Sequence, residues 1–309
     1  MFIQHTAALS ILIPTFNDSC LTMVDTLVTQ CMSLQDGDYG VDSFDYEIIV
    51  ADDASTDEKV MEKNATTAQM PGCKYIRRKD NVGRAAIRNF LARQASFDYL
   101  LFIDADMTII KDRYIYNYVR ARKSHCVVYG GYDVPRQDYM DLNLRYRYER
   151  ACRNNHTVEK RQANPYLDFD TSNFMIPRAL MLEHPFDENF RHYGYEDVAF
   201  GKELQEAGIK IQHIDNPVGF CDFEDNENFL RKTEEGIDTL VEFRGQLYNY
   251  SRLLQLAGKI KHWHLEPFCR TIASLFEKPL RKALVKGDIS VDFLNLYKLS
   301  LLLERLKGK

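Results

Sequence analysis

The sequence has little of what marks secreted, membrane-spanning or disulfide-rich proteins. Its apolar runs, such as 99–103, are far shorter than the roughly 20 residues that a membrane-spanning helix needs. The first twenty residues contain no basic segment followed by a long apolar stretch, so no signal peptide is predicted. The seven cysteines are scattered and never spaced C-x-x-C, which predicts neither a disulfide framework nor a zinc site. We therefore expect a protein of the reducing cytoplasm.

An excess of positive charge is also missing from most of the chain. The 309 residues carry a net charge of −5, but Ser251–Lys309 contains 12 Lys/Arg and 5 Asp/Glu, so this tail carries +7 and the first 250 residues carry −12. An acidic body argues against nucleic acid as a partner, because nucleic-acid-binding proteins present a basic face.

Apolar runs and helical periodicity alternate along the first half of the chain. Strands are predicted at 8–14, 46–51, 74–77 and 99–103, and helices at 20–34, 58–68 and 83–95. This alternation predicts an α/β fold with a mainly parallel, doubly wound sheet and flanking helices. After residue 228 the pattern is helical, at 229–250, 267–286 and 290–306. We expect an α/β domain at 1–225 and a helical C-terminal extension at 226–309.

Polar residues collect where the predicted strands end. Open α/β sheets bind ligands along the carboxyl edge of their strands, so this edge is the expected site. The residues concerned are Thr15 and Asn17, then Asp52 and Asp53, then Asp104 and Asp106.

The sequence Asp104-Ala105-Asp106 follows the buried run 99–103. A divalent cation offsets the charge that develops on a departing diphosphate, and Mg²⁺ and Mn²⁺ prefer carboxylate oxygens. One carboxylate is expected on the metal and the other on a ribose or a metal-bound water. The alternative is an acidic turn that caps the next helix.

Two further segments suit a nucleotide. Asp52 can accept hydrogen bonds from a base or a ribose, with Ser55 or Thr56 capping the helix that follows. In 81–89 a glycine turn leads into a helix with arginines four residues apart. Arg84 suits a diphosphate, whereas Arg88 is left open between that role and a surface ion pair.

The segment 194–201, Gly-Tyr-Glu-Asp-Val-Ala-Phe-Gly, places two carboxylates at a predicted helix start. Sugar transfer requires a base that takes the proton of the acceptor hydroxyl, and a carboxylate flanked by aromatic rings suits that task. The alternative is an acidic first turn, which the helix dipole favours.

These segments occur in one order: Ile-Pro-Thr-Phe-Asn at 13–17, Ile-Ile-Val-Ala-Asp-Asp-Ala-Ser-Thr-Asp at 48–57, Asn-Val-Gly-Arg-Ala-Ala-Ile-Arg-Asn at 81–89, Asp-Ala-Asp at 104–106 and Gly-Tyr-Glu-Asp at 194–197. As an ordered set they resemble the family-two glycosyltransferases, inverting enzymes of the GT-A fold that use nucleotide sugars, over roughly 8–225. The resemblance implies transfer of a sugar from a nucleotide diphosphate donor, with a UDP-sugar expected, to an acceptor hydroxyl in polysaccharide or glycoconjugate biosynthesis.

The same resemblance implies roles for individual residues. Asp104 and Asp106 together match the metal and ribose positions, and both are expected as ligands of Mn²⁺ or Mg²⁺. Asp197 matches the catalytic base, with Glu196 beside it. The segment Asn-Phe-Met at 173–175 resembles the strand that lines the acceptor pocket, so Asn173 is expected to contact the acceptor, a saccharide or lipid-linked saccharide. Tyr195 is expected to stack on a sugar ring of that acceptor. The predicted nucleotide site comprises Pro14, Thr15, Asn17, Asp52, Asn81, Gly83, Arg84 and Asp104.

One position departs from the family pattern. Members often carry a metal-ligand histidine some twenty residues after Glu-Asp, in a segment resembling 216–222, and none stands there. Either Asp222 or Cys221 substitutes, or Asp106, the diphosphate and water complete the coordination. His213, nearby in an apolar alternation, is expected on a strand face.

Two other functions remain open at this point. One is a sugar nucleotidyltransferase, although 14–18 lacks the Gly-rich basic loop that would hold a triphosphate. The other is a catalytically impaired homologue that binds a nucleotide sugar, which the absent histidine suggests.

The basic tail contains Lys-Pro-Leu-Arg-Lys-Ala-Leu-Val-Lys at 278–286. Three interpretations remain open: a helical subdomain packed on the core, a peripheral contact with the inner face of the membrane, or a homodimer through the C-terminal helices. The first is preferred, because 299–303 looks buried.

Overall fold

A computed structural model describes residues 7–307, apart from the side chains of 155 and 272–274. Residues 1–6, the start of the segment examined for a signal peptide, lie outside the described part. The chain divides into two compact units. The first comprises the chain up to Pro135, Asn155–Arg191 and Phe200–Asp222, and the second comprises Arg136–Asn154, His192–Ala199 and the chain from Phe223 onward. A domain boundary at residue 225 stays a prediction.

In the described part of the first unit, ten strands form two sheets. The strands are β1 (Ala7–Thr15), β2 (Phe44–Asp52), β3 (Cys73–Arg77), β4 (Tyr99–Ile103), β5 (Met107–Ile109), β6 (Cys126–Tyr129), β7 (Tyr132–Asp133), β8 (Asn173–Pro177), β9 (Lys210–His213) and β10 (Val218–Phe220). Seven form one sheet in the order β3-β2-β1-β4-β8-β6-β9, and three form a small sheet in the order β5-β10-β7. In the large sheet β8 is antiparallel to both of its neighbours, and the other pairs are parallel.

Thirteen α-helices lie in the described chain. They are α1 (Leu21–Gln35), α2 (Glu58–Ala65), α3 (Arg84–Gln94), α4 (Tyr114–Ala121), α5 (Leu144–Cys152), α6 (Val158–Ala163), α7 (Arg178–Glu183), α8 (Glu196–Glu206), α9 (Asn226–Glu242), α10 (Arg244–Leu247), α11 (Arg252–His262), α12 (Glu266–Lys286) and α13 (Asp292–Arg305). Among the described residues, no helix is long and apolar enough to cross a membrane.

Burial explains why the first strands are so apolar. Ile11, Leu12 and Ile13 on β1 are fully buried, as are Ile48–Val50 on β2 and Leu100–Ile103 on β4. A parallel strand covered on both faces reads as a continuous apolar run rather than an alternation. The predicted strands and helices before residue 104 match observed elements to within three residues at each end.

The prediction of helix starts and of the C-terminal helices needs correction. The cap of α2 is Asp57, whose carboxylate accepts from Lys59 N at 3.0 Å and Val60 N at 3.2 Å, and not Ser55 or Thr56. The backbone N–H of Ser55 instead donates to the carboxylate of Asp52, three residues earlier in the chain. The predicted helix 229–250 is also wrong as one element, since α9 ends at Glu242 and α10 follows. The helix α11 was not predicted.

The second unit is all-helical, with α12 and α13 packed against α9. Arg281 on α12 pairs with Glu227 at 2.6 Å and with Glu234 at 2.7 Å, both on α9. Tyr297 on α13 donates to the same Glu234 carboxylate at 2.7 Å. Buried leucines, among them Leu302, fill the space between the helices.

Candidate functional site

The carboxyl ends of three predicted strands meet at one edge of the large sheet. β1 lies between β2 and β4 and is parallel to both, and Thr15 pairs with Asp52 across the β1–β2 ladder. Asp104 follows β4 directly. The structure therefore brings the ends of β1, β2 and β4 together, as the strand pattern predicts.

The loop after β1 is tied to the loop after β2 through Asn17. This residue has a left-handed backbone with φ 60°. Its Oδ1 accepts from Thr56 N at 2.8 Å and Asp57 N at 2.9 Å, while its own N–H donates to Ser55 Oγ at 2.8 Å. Thr15 is buried and donates to the carbonyl of Asp18 at 2.7 Å. Both side chains shape the loops in this structure.

Asp52 and Asp53 are both buried at the end of β2. Asp52 Oδ1 accepts from Ser55 N at 2.6 Å and Oδ2 accepts from Tyr75 Oη at 2.7 Å. The side chain of Asp52 is fully buried, so its carboxylate is not open to a nucleotide from solvent in this structure. Its ligand role stays a prediction.

Asp53 connects β2 to the glycine turn before α3. Its Oδ2 accepts from Gly83 N at 2.9 Å and from Val82 N at 3.1 Å. Burial raises the pKa of the Asp53 carboxyl, although the hydrogen bonds from Val82 and Gly83 and the nearby Arg78 act in the opposite direction. The sequence placed Asp53 at the expected site edge without a specific role, and the structure shows that its carboxylate holds the glycine turn.

The glycine turn itself requires glycine at position 83. Gly83 has φ 86° and ψ 168°, and a Cβ there would lie 2.9 Å from the carbonyl oxygen of Arg191. It precedes Arg84, the first residue of α3, which is exposed, and Asn81 before it is exposed as well. Pro14, at the end of β1, is half-buried.

The sequence left two roles open for Arg88, a diphosphate ligand and a partner in a surface ion pair. Its side chain is 2% exposed, and Nη2 donates to Asp104 Oδ1 at 2.6 Å. Nη1 donates to the carbonyl of Arg84 at 3.2 Å, and the guanidinium lies 5.7 Å from the centre of the Phe186 ring. A surface ion pair is therefore wrong. Helical spacing could have indicated that Arg88 is buried, because it lies three residues before buried Leu91 and four before buried Ala92, on the same face of α3.

The turn Asp104-Ala105-Asp106 leads from β4 into β5. Asp104 N–H donates to the carbonyl of Ser172 at 3.0 Å, and Met107 N–H donates to the carbonyl of Asp104 at 3.1 Å. Both carboxylates are partly exposed, in contrast to Asp52. The turn thus presents two carboxylates at the sheet edge, one of them already ion-paired.

The small sheet runs beside this turn. β10 is antiparallel to β5, with Phe220 opposite Met107, so the continuing chain brings Cys221 and Asp222 back towards Asp106. Burial raises the pKa of the Cys221 thiol, against a hydrogen bond with Thr108 that lowers it. Within residues 7–307, no group of three or more His, Cys, Asp or Glu side chains is placed to hold a metal ion.

Asn173 begins β8 and is fully buried. Its Oδ1 accepts from Tyr114 Oη at 2.5 Å and Tyr118 Oη at 2.7 Å. Its Nδ2 donates to the carbonyls of Gly131 at 2.6 Å and Asn216 at 3.0 Å. The amide is fully used within the core, so this placement does not favour the predicted acceptor contact.

His213 ends β9 and is buried, as expected for a residue on a strand face. Arg161 Nη1 lies 3.4 Å from its Nδ1, and because arginine only donates, Nδ1 accepts and Nε2–H donates to the carbonyl of Pro165 at 2.9 Å. Burial lowers the pKa of His213 to about 4, and the charge of Arg161 lowers it further.

The segment with Glu196 and Asp197 belongs to the second unit, where α9 holds it. Tyr193 N–H donates to Glu235 Oε1 at 3.1 Å, and Thr239 donates to the carbonyl of Tyr193 at 3.0 Å. Gly194 has φ 93° and Tyr195 has φ 69°. A left-handed tyrosine is strained by about 1–2 kcal/mol.

The two carboxylates that follow differ in burial. Glu196 is buried, whereas Asp197 is partly exposed and its Oδ1 accepts from Val198 N at 2.7 Å. Burial raises the pKa of the Tyr195 phenol to about 12, and the charge of Asp197 adds to that shift. Tyr195 is therefore a neutral hydrogen-bonding group at neutral pH, next to a carboxylate that solvent reaches.

The sequence matches known proteins over most of the first unit. The family model described as Glycosyl transferase family 2 matches residues 10–188. Chondroitin synthase of Escherichia coli is 26% identical over 244 residues, which cover 69% of this chain and 34% of that protein. Validoxylamine A glucosyltransferase of Streptomyces hygroscopicus subsp. jinggangensis (strain 5008) is 29% identical over 240 residues, or 67% of this chain and 54% of that protein. The chain thus spans about a third to a half of these relatives.

Two solved structures share the fold. The mannosyltransferase PcManGT from Pyrobaculum calidifontis, in complex with GDP-Man and Mn²⁺, has a TM-score of 0.56 and 16% identity, and the match covers 99% of this chain and 88% of that chain. TarS 1–349 of S. aureus, in complex with UDP-GlcNAc, has a TM-score of 0.52 and 16% identity, with 95% and 90% covered. At this identity the likeness establishes the fold alone.

Proposed function

Because this chain belongs to glycosyl transferase family 2 and has a GT-A type fold, we propose that it transfers a sugar from a nucleoside diphosphate donor to an acceptor hydroxyl. The observation that carries the proposal is the Asp104-Ala105-Asp106 turn at the shared carboxyl edge of β1, β2 and β4, with Arg88 bound to Asp104. This edge is where open α/β sheets bind nucleotides. The turn also supplies two carboxylates that can bind the divalent cation of a diphosphate donor.

The donor half is proposed to lie along that edge. Arg84 is exposed at the N-terminus of α3, where the helix dipole and a guanidinium both favour a diphosphate. Asp104, held by Arg88, offers its remaining oxygen to a ribose hydroxyl. A UDP-sugar is the proposed donor, and the two solved proteins with this fold bind UDP-GlcNAc and GDP-Man.

A divalent cation, Mn²⁺ or Mg²⁺, is proposed to neutralise the leaving diphosphate. The partly exposed carboxylates of Asp104 and Asp106 fit such a cation in ligand type, because hard cations prefer oxygen ligands. Asp104 also pairs with Arg88, and Asp106 is proposed as a metal ligand beside it. Diphosphate oxygens and water are proposed for the remaining positions, with Asp222 or Cys221 as the alternative.

Asp197 is proposed as the base that takes the acceptor proton. Solvent reaches it, whereas Glu196 is buried, so Asp197 is the carboxylate that a hydroxyl can approach. In the proposed step the acceptor hydroxyl attacks the anomeric carbon on the side opposite the departing diphosphate while Asp197 takes its proton, which inverts that carbon. Tyr195, neutral and next to Asp197, is proposed to contact the acceptor sugar.

The acceptor is proposed to be a saccharide or a lipid-linked saccharide, in the biosynthesis of a polysaccharide or glycoconjugate. Chondroitin synthase, a relative that this chain matches over part of its length, supports a polysaccharide.

Calorimetry tests the donor half most directly. The protein is titrated with UDP and with GDP, each with and without Mn²⁺, and then with the sugar nucleotides of the nucleotide that binds. We expect binding of one nucleotide that Mn²⁺ strengthens, followed by slow release of free nucleotide from its sugar conjugate. Binding of neither nucleotide in the presence of Mn²⁺ would remove the basis of the proposal. Pyrophosphate release from a nucleoside triphosphate would instead identify a nucleotidyltransferase.

A further inference from the structure

The second unit has an apolar cavity on the surface formed by α12 and α13. Its volume is about 340 Å³, and its walls are almost entirely hydrocarbon. The wall residues include Phe276, Pro279 and Leu280 on α12, and Phe293, Leu296 and Leu303 on α13. We call this surface the α12–α13 face. The cavity is open, and of its wall residues Phe276, Phe293 and Leu296 are exposed to a partner, whereas Leu303 is buried.

The α12–α13 face keeps large apolar side chains in water. Leu275 is 69% exposed, Phe276 59% and Leu296 53%. The rest of both helices behaves differently, since Leu284, Leu294 and the run Leu301–Leu303 are buried. A contiguous exposed apolar patch of this kind marks an interaction surface rather than a folding core. The preferred prediction, a helical subdomain packed on the core, accounts for the buried side of these helices but not for this exposed one.

A row of lysines borders the same face. Lys278, Lys282 and Lys286 on α12 are all exposed and are spaced four residues apart, so they lie along one line of the helix. Among the described residues, none of the three makes an ion pair. Arg281, on the other side of α12, is by contrast bound to Glu227 and Glu234. α12 thus has one ion-paired cation towards α9, and three exposed lysines that helical spacing places beside Leu275 and Pro279, at the edge of the α12–α13 face.

The charge decides between two kinds of occupant. A symmetric dimer would place the same surface of a second copy here, and the lysine row would then lie in an interface that supplies the same lysine row. An anionic lipid surface supplies hydrocarbon for the apolar side chains and negative charge for the lysines at once. The tail from Ser251 onward carries +7, which adds long-range attraction to such a surface.

We propose that the α12–α13 face docks the protein on a bilayer that contains anionic phospholipid, with Phe276 and Leu296 entering the acyl boundary and the lysine row at the headgroups. This is peripheral binding, as helices that lie in the interface show. The proposal rests on the second unit alone and does not depend on the transferase activity.

Vesicle sedimentation tests it with the full chain. One set of vesicles is phosphatidylcholine, and the other is phosphatidylcholine with an equal part of phosphatidylglycerol. We expect binding to the anionic vesicles that weakens with added salt, and little binding to the neutral ones. The triple variant Lys278→Gln, Lys282→Gln, Lys286→Gln should lower the partition coefficient roughly a hundredfold, because each lysine near the surface contributes about a factor of five. The double variant Phe276→Ser, Leu296→Ser should lower it as well.

The matched control removes the same charge elsewhere. Lys59, Lys63 and Lys123 are exposed in the first unit, and changing all three to Gln should leave the partition coefficient within about twofold of the wild-type value. Equal losses in the two lysine triples, or no binding to anionic vesicles at low salt, would overturn the proposal. A stable dimer of the free protein that Phe276→Ser dissociates would overturn it too, because the face would then belong to a second copy.

Discussion

The guanidinium of Arg88 donates to Asp104 at 2.6 Å, from a side chain that is almost completely buried. The pair links α3, whose N-terminus carries Arg84, to the acidic turn that follows β4. It fixes the position of the Asp104 carboxylate and neutralises its charge. A second carboxylate, Asp106, lies two residues further along the same turn and is a proposed metal ligand.

Replacement of Arg88 by lysine tests this pair. Lysine keeps the charge but loses the planar fork and reaches a different position. We expect kcat/KM for the nucleotide sugar to fall roughly tenfold to a hundredfold, since a hydrogen bond to a charged group contributes about 1.5–3 kcal/mol. Steady-state kinetics on the folded variant measures this.

Arg93 provides the control for Arg88 on the same helix. It is exposed and lies 3.9 Å from Glu188, so Arg93→Lys should change kcat/KM by less than about twofold. If Arg88→Lys and Arg93→Lys behave alike, the Arg88–Asp104 pair does not position the donor.

Substitutions of Asp106 and Asp197 are expected to impair different steps, donor binding and sugar transfer. Asp106→Asn should reduce transfer strongly and also weaken nucleotide binding in Mn²⁺, because it removes the proposed metal ligand. Asp197→Asn should reduce transfer by at least roughly 10²-fold with donor binding unchanged, because a general base acts only in the chemical step. Calorimetry and a transfer assay separate the two. Wild-type turnover in both variants would contradict both assignments.

Gly83→Ala is expected to destabilise the first unit. Its φ of 86° disfavours a side chain, and the new Cβ would meet the carbonyl oxygen of Arg191 at 2.9 Å. We expect a loss of about 1–3 kcal/mol in the free energy of unfolding, measured with denaturant. Gly37 also has a positive φ but no atom within 4 Å of an added Cβ. The loss of unfolding free energy in Gly37→Ala therefore measures the cost of the positive φ without a steric contact. A smaller loss at Gly83 than at Gly37 would exclude the steric contact.

His213 should make the stability of the protein depend on pH. Its pKa is lowered from 6.5 to about 4 in the folded state, first by burial. Between these values the unfolded chain binds a proton that the folded chain does not, so the free energy of unfolding falls as pH falls from about 6.5 to about 4. The loss amounts to about 3 kcal/mol at most, since one pKa unit is about 1.4 kcal/mol.

Unfolding curves between pH 7 and pH 4 measure this loss, with His213→Gln as the informative variant. Glutamine can still donate to the carbonyl of Pro165 but does not titrate, so its stability should fall less over the same range. His125→Gln, at an exposed histidine, should retain the wild-type slope. An unchanged slope in His213→Gln would show that another group carries the pH dependence.

Local pattern was enough for the backbone elements before residue 104. The apolar runs of β1, β2 and β4 are continuous because both faces of a parallel sheet are buried, and such runs are visible in the sequence. The ordered motifs were likewise enough for the family, which the match over 10–188 shows. The chemistry proposed for the strand ends rests on those two results.

The partners of individual polar side chains were decided only by the tertiary structure. Asp52 and Asn173 look like ligand residues in the sequence, yet their hydrogen bonds are satisfied inside the protein by Tyr75 and by Tyr114 and Tyr118. These tyrosines are 23 to 59 residues away in the chain, so no local pattern identifies them.

Arg88 shows the same limit at the centre of the site. The sequence by itself determined that an arginine stands on α3 and two aspartates follow β4. Only the packing of α3 against the sheet decided that this arginine is buried and binds the first of those aspartates. A buried charge must find an opposite charge or it is not stable there, and which one it finds depends on elements that meet only when the chain is folded.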